Sequence, residues 1–424
     1  MHARCASPAR FLIHFCYCFD GWRRTCRALR TQFPVKTLFL LPCIALFMPA
    51  PARAENPSAA GTEPAPAFQA SAWEVADRLF RGDPRWVGGD GAYSIDLGGG
   101  RFLWLFGDSI IDPSGTHSRK SAGVKMISNS IGIQTGADPR TAAMHFHWKT
   151  NPDGTPCAFF PDSSGSRFWP GHGIRLRDRL LLFLMKVRTV PDGLGFEVHD
   201  WAAVLVQNPD AGPADWKVSW LKTPSNKLHV IAGSAGVLAD EGFVYAYGSR
   251  EPGGQDVYLV RWPEDDVSQG DLSRMAWWDG HAWSETEPSE NNSSAPVLHQ
   301  AGTEFTVHRN PRTGKYVQIQ CAGFGPAILT MREAARLTGP WSPPITLYRP
   351  PECDKPRIMI YQGKAHPGLT GSDLVLTYST NSFDFKNLID DASIYYPRFV
   401  RLSAQDPAAS AHPSMEPAAT PPEN

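Results

Sequence analysis

The chain has 424 residues, 42% hydrophobic and 20% charged, a globular composition long enough for one large domain or two or three small ones. Its first 54 residues hold eight Lys/Arg and one acid, so the remainder carries 33 bases against 41 acids, a net charge of −8. That balance argues against nucleic acid or an anionic membrane surface as partner.

The N-terminus reads as a targeting segment. Lys36 precedes an apolar run from Thr37 to Met48, and Ala52-Arg53-Ala54 before Glu55 has the small-x-small pattern of a cleavage site. The run is too short to span a bilayer. Residues 1–34 read as an upstream extension, with Val35 the expected initiator. The expected mature protein begins near Glu55 and is exported to a periplasm or beyond. Five of the eight cysteines fall before that point. Cys157, Cys321 and Cys353 remain, without CxxC spacing, which leaves one disulfide or three free thiols open and disfavours a metal site built from them.

Residues 55–70 and 403–424 are rich in Pro, Ala, Ser and Glu and read as disordered flanks. Between them, short apolar or alternating runs bounded by Gly, Pro, Asn and Asp predict an all-β unit over residues 71–402. Five hairpins recur: from Gly89, GDGAYSIDLGGGRFLWLFGDS; from Gly171, GHGIRLRDRLLLFLMKV; from Gly233, GSAGVLADEGFVYAYGSRE; from Thr303, TEFTVHRNPRTGKYVQIQCAG; and from Gly363, GKAHPGLTGSDLVLTYSTN. Outer strands are expected at Met126–Gln134, Ala202–Val206, Val257–Trp262, Ala327–Met331 and Pro397–Leu402. Five such units predict a five-bladed β-propeller, whose radial repetition protects sheet edges. The competing fold is a β-sandwich with hairpins alike by chance.

In a propeller the start of each innermost strand lies near the axis. That position holds Asp90, His172, Ser234, Glu304, and Lys364 with His366. The first hairpin, folded about Leu97-Gly98-Gly99-Gly100, sets Asp90 opposite Asp108, and cross-strand neighbours stand about 4.5–5.5 Å apart at Cβ. Carboxyl groups that close push their pKa values apart, as acid/base or glycosyl-transfer chemistry requires. Asp90, Asp108 and Glu304 are therefore the candidate catalytic groups, and Asn129, Trp169, His172, Ser234, Lys364 and His366 the candidate sugar ligands. The candidates have bland alternatives: Asp beside Gly caps turns, Glu304 reads equally as a satisfied buried acid, His172 as a turn residue, and Lys364 and His366 as surface residues. The 14 Trp suit stacking on sugar rings, although most Trp serve cores. Phe106-Gly107-Asp108-Ser109 resembles the first block of GDSL esterases, but the chain has no Asp-x-x-His to activate Ser109. No P-loop, HExxH or EF-hand loop occurs. No metal-ligand cluster or cofactor site is legible, and a structural cation near the axis is left open.

The run GGDGAYSIDLGGGRFLWLFGDS, with MISNSIGIQ (Met126–Gln134), FWPGHG (Phe168–Gly173), TEFTVHRNPRTGKYV (Thr303–Val317), TGPWSPPITLY (Thr338–Tyr348) and KAHPGL (Lys364–Leu369), resembles the family of domain-of-unknown-function 4185 from about Trp73 to Leu402. The resemblance implies a five-bladed propeller and a secreted glycoside hydrolase of endo-D-arabinanase type, with a polysaccharide as partner. It matches Asp90 and Asp108 to that family's paired aspartates. His172 stands where its WPGDG motif carries an acid. A glycan-binding propeller without catalysis is the alternative function.

Overall fold

The computed structural model describes residues 68–404, apart from 164, 252–254, 287, 289–294 and 324. The expected signal segment, residues 55–67 of the first flank and residues 405–424 of the tail lie outside the described residues. Residues 190–196 form a separate short unit, in which the Val190 N–H donates to the Gly195 carbonyl.

Strand β1 (Phe68–Ala72) comes first but is placed last in the ring. Blade one follows with β2 (Trp86–Gly98), β3 (Arg101–Ile111), β5 (Ser130–Thr135) and β6 (Ala143–His147), while β4 (Lys125–Ile127) extends the edge of β3. A short ribbon, β7 (Lys149–Thr150) and β8 (Pro156–Cys157), leads into blade two: β9 (Arg167–Leu176), β10 (Arg179–Thr189), β11 (Phe196–Val206) and β12 (Val218–Trp220). Blade three has β13 (Val237–Asp240), β14 (Phe243–Ser249), β15 (Val257–Pro263), β16 (Ala276–Trp278) and β17 (Trp283–Ser284). Blade four has β18 (Thr306–Arg309), β19 (Tyr316–Ala322), β20 (Ile328–Ala334) and β21 (Ile345–Tyr348). Blade five has β22 (Ile358–His366), β23 (Leu374–Ser382) and β24 (Arg398–Ala404), and β1 completes it by pairing antiparallel with β24, Phe68 opposite Ala404. The inner strands neighbour one another in a closed ring, β2, β9, β13, β18, β22 and back to β2. The protein is a five-bladed β-propeller.

Phe68–Ala72 corrects the expected flank, which ran to residue 70. Only Phe68 of its five residues is a strong β-former, but β24 offers an unpaired edge, and bonding to that edge decides the conformation. The same contact ties the two described ends of the chain into one blade.

Most strand residues are buried on both faces, as in Phe102–Gly107, because each sheet packs against the next. Five apolar clusters occupy the five blade interfaces. Leu103, Leu105, Leu182 and Leu184 join blades one and two; Phe183, Trp201, Val244 and Trp262 join two and three; Tyr247, Leu259, Phe305 and Val307 join three and four. Ile319, Leu329, Leu376 and Val400 join four and five, and Trp104, Phe106, Val375 and Phe399 close the ring. Each fully buried Leu or Phe contributes roughly 1.5–3 kcal/mol. Where β9 passes Gly233 the two backbones approach too closely for a side chain. A Cβ on Gly171 would stand 2.3 Å from the Gly233 carbonyl oxygen, so glycine is required there.

Among the described residues no helix is long and apolar enough to cross a membrane. Cys157, Cys321 and Cys353 are all free thiols, and burial pushes that of Cys321 up to about 12.

Candidate active site

Asp90 stands at a β-bulge. Gly89 pairs with Ser109 and Gly91 with Phe106, so Asp90 alone opposes Gly107 and Asp108. Its carboxyl lies over Gly107, where a Cβ would meet Asp90 Oδ1 at 2.5 Å. Asp90 Oδ2 accepts a 2.6 Å hydrogen bond from the Tyr361 hydroxyl. Burial, followed by the nearby Asp108 charge, pushes its pKa up to about 8, against the Tyr361 bond and Lys364, which lower it.

Asp108 Oδ1 accepts from the Trp169 indole at 2.9 Å, and its backbone carbonyl accepts from the Tyr395 hydroxyl at 3.0 Å. Burial raises its pKa to about 6, with Trp169 and Arg167 pulling the other way. At neutral pH Asp90 is thus mostly protonated and Asp108 mostly ionised. The bulge brings the two acids to one place, and unequal partners give them unequal proton affinities.

Glu304 reaches the same basin from blade four. Its Oε2 accepts from Gln362 Nε2 at 2.7 Å, and its Oε1 lies 3.6 Å from Lys364 Nζ. Lys364 is fully buried, donates to the Gly91 carbonyl at 2.6 Å and lies 4.2 Å from the centre of the Tyr93 ring. Burial lowers its pKa, while Glu304 and Asp90 favour its charged form. Lys364 therefore ties blade five to the Asp90 bulge and to Glu304. Gln362 Oε1 also accepts from the Gly91 N–H at 2.7 Å.

The remaining expected ligands lie below or behind this basin. His172 stacks on Tyr93 with ring centres 4.8 Å apart, and its Nδ1 accepts from the Val237 N–H at 2.9 Å. Burial holds its pKa down at about 4, so it is neutral at pH 7. Ser234 is buried, and its carbonyl accepts from the Tyr93 hydroxyl at 2.7 Å. Asn129 is fully buried, donating to the Phe160 and Phe168 carbonyls and accepting from the Phe160 N–H. His366 is fully buried between Ser94 Oγ at 2.7 Å and Thr377 Oγ1 at 2.8 Å. Asp90, Asp108, Glu304, Trp169 and Lys364 are thus brought together, while Asn129, Ser234 and His366 have their polar groups committed to protein partners.

Tyr361, Gln362, Tyr93 and Tyr395 were missed in the sequence. For Tyr361 and Gln362 the cause is one of alignment. The sequence pattern starts the fifth hairpin at Gly363, but β22 begins at Ile358. Lys364 pairs with Thr377, one step before Tyr378, which meets the third strand at Arg398. In blade one Tyr93 occupies that level, opposite Leu105 and one step before Phe106, which meets Ser130. Lys364 therefore matches Tyr93 in depth, and Tyr361 and Gln362 stand at the level of Asp90. In the structure the Tyr-Gln-Gly-Lys stretch is a break in register: Gln362 has φ 57°, beside a glycine whose Cβ would meet Cys321 N at 2.6 Å, and of these features only the glycine is visible in the sequence.

Among the described residues no group of three or more His, Cys, Asp or Glu is arranged to hold a metal ion.

Residues 74–405 match the model of the family described as Domain of unknown function (DUF5005). The chain belongs to that family. The matching model is not that of the 4185 family, which the motifs resemble. No curated protein matches this DUF5005 chain. Among solved structures it is similar to a putative hydrolase from Bacteroides ovatus, at 20% identity and a TM-score of 0.62, over 82% of this chain and 92% of that one. That likeness is one of fold. More distant matches include the alpha-L-arabinofuranosidase PaAbf62A from Podospora anserina (11% identity, TM-score 0.43, 75% of this chain and 91% of that one). They also include the alpha-L-arabinanase of Cellvibrio cellulosa (14% identity, TM-score 0.40, 74% and 91%).

Proposed function

We propose that this DUF5005 protein is a secreted glycoside hydrolase that cleaves furanosidic linkages within a polysaccharide. The observation that carries the reading is the pair Asp90 and Asp108, one held near pKa 8 and the other near 6 in a single axial basin. In this reading protonated Asp90 gives its proton to the leaving glycosidic oxygen. Ionised Asp108 acts on the other side of the bond, as base towards water or as nucleophile. Tyr361 holds the Asp90 carboxyl in place, and Trp169 does so for Asp108. Glu304, anchored by Lys364 and Gln362, offers oxygen acceptors to sugar hydroxyls from across the basin. The motif resemblance to the 4185 family makes D-arabinan the first substrate to try.

The test is release of reducing ends from D-arabinan, L-arabinan and xylan by the exported protein, by Asp90→Asn and by Asp108→Asn. Shortened D-arabinan, lost in both variants, supports the reading. Binding without shortening of any polymer overturns it in favour of a glycan-binding propeller. Cleavage retained in both variants moves the chemistry to other residues.

A further inference from the structure

A cavity of about 650 Å³, open to solvent, lies between the outer parts of blades three and four, and none of the axial acids lines it. Its wall is built from Trp278 of β16, residues 295–299, Arg332 of β20, and the loop 336–344. The wall is pinned by hydrogen bonds. Ala295 N–H donates to the Trp278 carbonyl, Ser342 N–H to the Glu333 carbonyl, and the Tyr247 hydroxyl to the Leu337 carbonyl.

Arg332 is 9% exposed, and its Nη1 is buried with no hydrogen-bond partner. The indole Nε1 of Trp341, in the same lining, is likewise buried and unpartnered. Arg336 adds a second guanidinium, and no Asp or Glu is among the described lining residues. Burial of a guanidinium and an indole N–H without acceptors is unfavourable, and native proteins rarely leave such donors unmet. Two unmet donors of this kind, with no acid among the described lining residues, call for an anionic acceptor, and a guanidinium fits the planar fork of a carboxylate. The rest of the wall, with the indoles of Trp278 and Trp341 and the rings of Pro296, Pro340 and Pro343, offers apolar faces to a C–H-rich ring.

We propose that this cavity binds a carboxylate-bearing sugar, its carboxylate on Arg332 and its ring against the tryptophan and proline faces. The site is separate from the axial basin and does not depend on the hydrolase reading.

Calorimetric titration with D-glucuronate, glucose, acetate and inorganic phosphate tests it. D-glucuronate is expected to bind saturably and more tightly than the other three. Arg332→Met should weaken it at least tenfold, Trp341→Phe and Arg336→Gln severalfold, and Asp90→Asn not at all. If Arg332→Met does not fold, the other two cavity variants carry the same test. No saturable binding of D-glucuronate overturns the proposal. Equal binding of glucose overturns the anionic part, and equal binding of acetate or phosphate overturns the sugar part. A loss in Asp90→Asn with none in the cavity variants would assign the ligand to the axial basin and overturn the site.

Discussion

The axial basin and the cavity between blades three and four each bury a cation, and they treat it in opposite ways. Lys364 has Glu304, the Gly91 carbonyl and the face of Tyr93 around it. Arg332 has a buried Nη1 without an acceptor and no acid among the described residues of its wall. A buried charge whose partners belong to the fold holds elements in register. One whose partner is missing from the fold is free to select a ligand. The acids of the basin differ from both cations: Asp90 accepts from Tyr361 and Asp108 from Trp169, yet burial leaves both with raised proton affinity.

The sharpest way to break this comparison is at the acids. Asp90→Asn and Asp108→Asn should each lower kcat on a cleaved polymer by about 10³-fold, roughly 4 kcal/mol of barrier, with KM little changed. A matching rise in KM instead would make them binding groups. Next comes Lys364→Met, which leaves Glu304 and the Gly91 carbonyl without their cation; urea unfolding should show a loss of about 3 kcal/mol.

The pH profile of kcat/KM sharpens the assignment of roles. Activity should rise tenfold per unit below about pH 6, as Asp108 ionises, and fall tenfold per unit above about pH 8, as Asp90 loses its proton. In Asp108→Asn the residual activity should lose the acid limb and keep the alkaline one, moved to lower pH because the Asp108 charge no longer raises the Asp90 pKa.

Stability gives a smaller effect of opposite sign. The fold raises the Asp90 pKa from the ordinary 3.8 to about 8, so the native state keeps a proton that the unfolded chain releases. The stability from that proton is present below about pH 4 and is lost as pH rises towards 8. Asp90→Asn should therefore raise Tm by a few degrees at pH 8 and leave it unchanged at pH 4, measured calorimetrically. The smallest effect is expected from Arg332→Met, within about 1 kcal/mol of the unmodified protein or slightly stabilising, because Nη1 has no partner to lose. A loss as large as that of Lys364→Met would erase the difference between the two regions.

The hairpins were legible because their signals are local. Leu97-Gly98-Gly99-Gly100 turns the chain, and the runs on either side alternate or are wholly apolar. The third strands were legible too: β5, β11, β15, β20 and β24 all overlap expected outer strands. What failed was depth within a blade. Counting from Gly363 sets Lys364 level with Asp90 at the strand start near the axis, whereas strand pairing sets it a level lower and raises Tyr361 and Gln362 to Asp90. Asn129 and His366 have side chains suited to sugars, yet both are fully buried among protein acceptors and donors. Residue type carries no information on which neighbours will use the polar atoms first.

By itself the sequence determined the β-period, the five glycine- and polar-bounded hairpins, and the presence of two aspartates flanking one tight turn, all of which depend on residues close in the chain. Only the tertiary structure decided that β1 closes blade five, that Tyr361 and Trp169 hold separate aspartates, that those acids differ in proton affinity, and that Arg332 is buried beside a cavity with no acid among its described residues. Those properties come from desolvation and from contacts between segments as far apart as Asp90 and Tyr361, and neither exists until the blades pack into a ring.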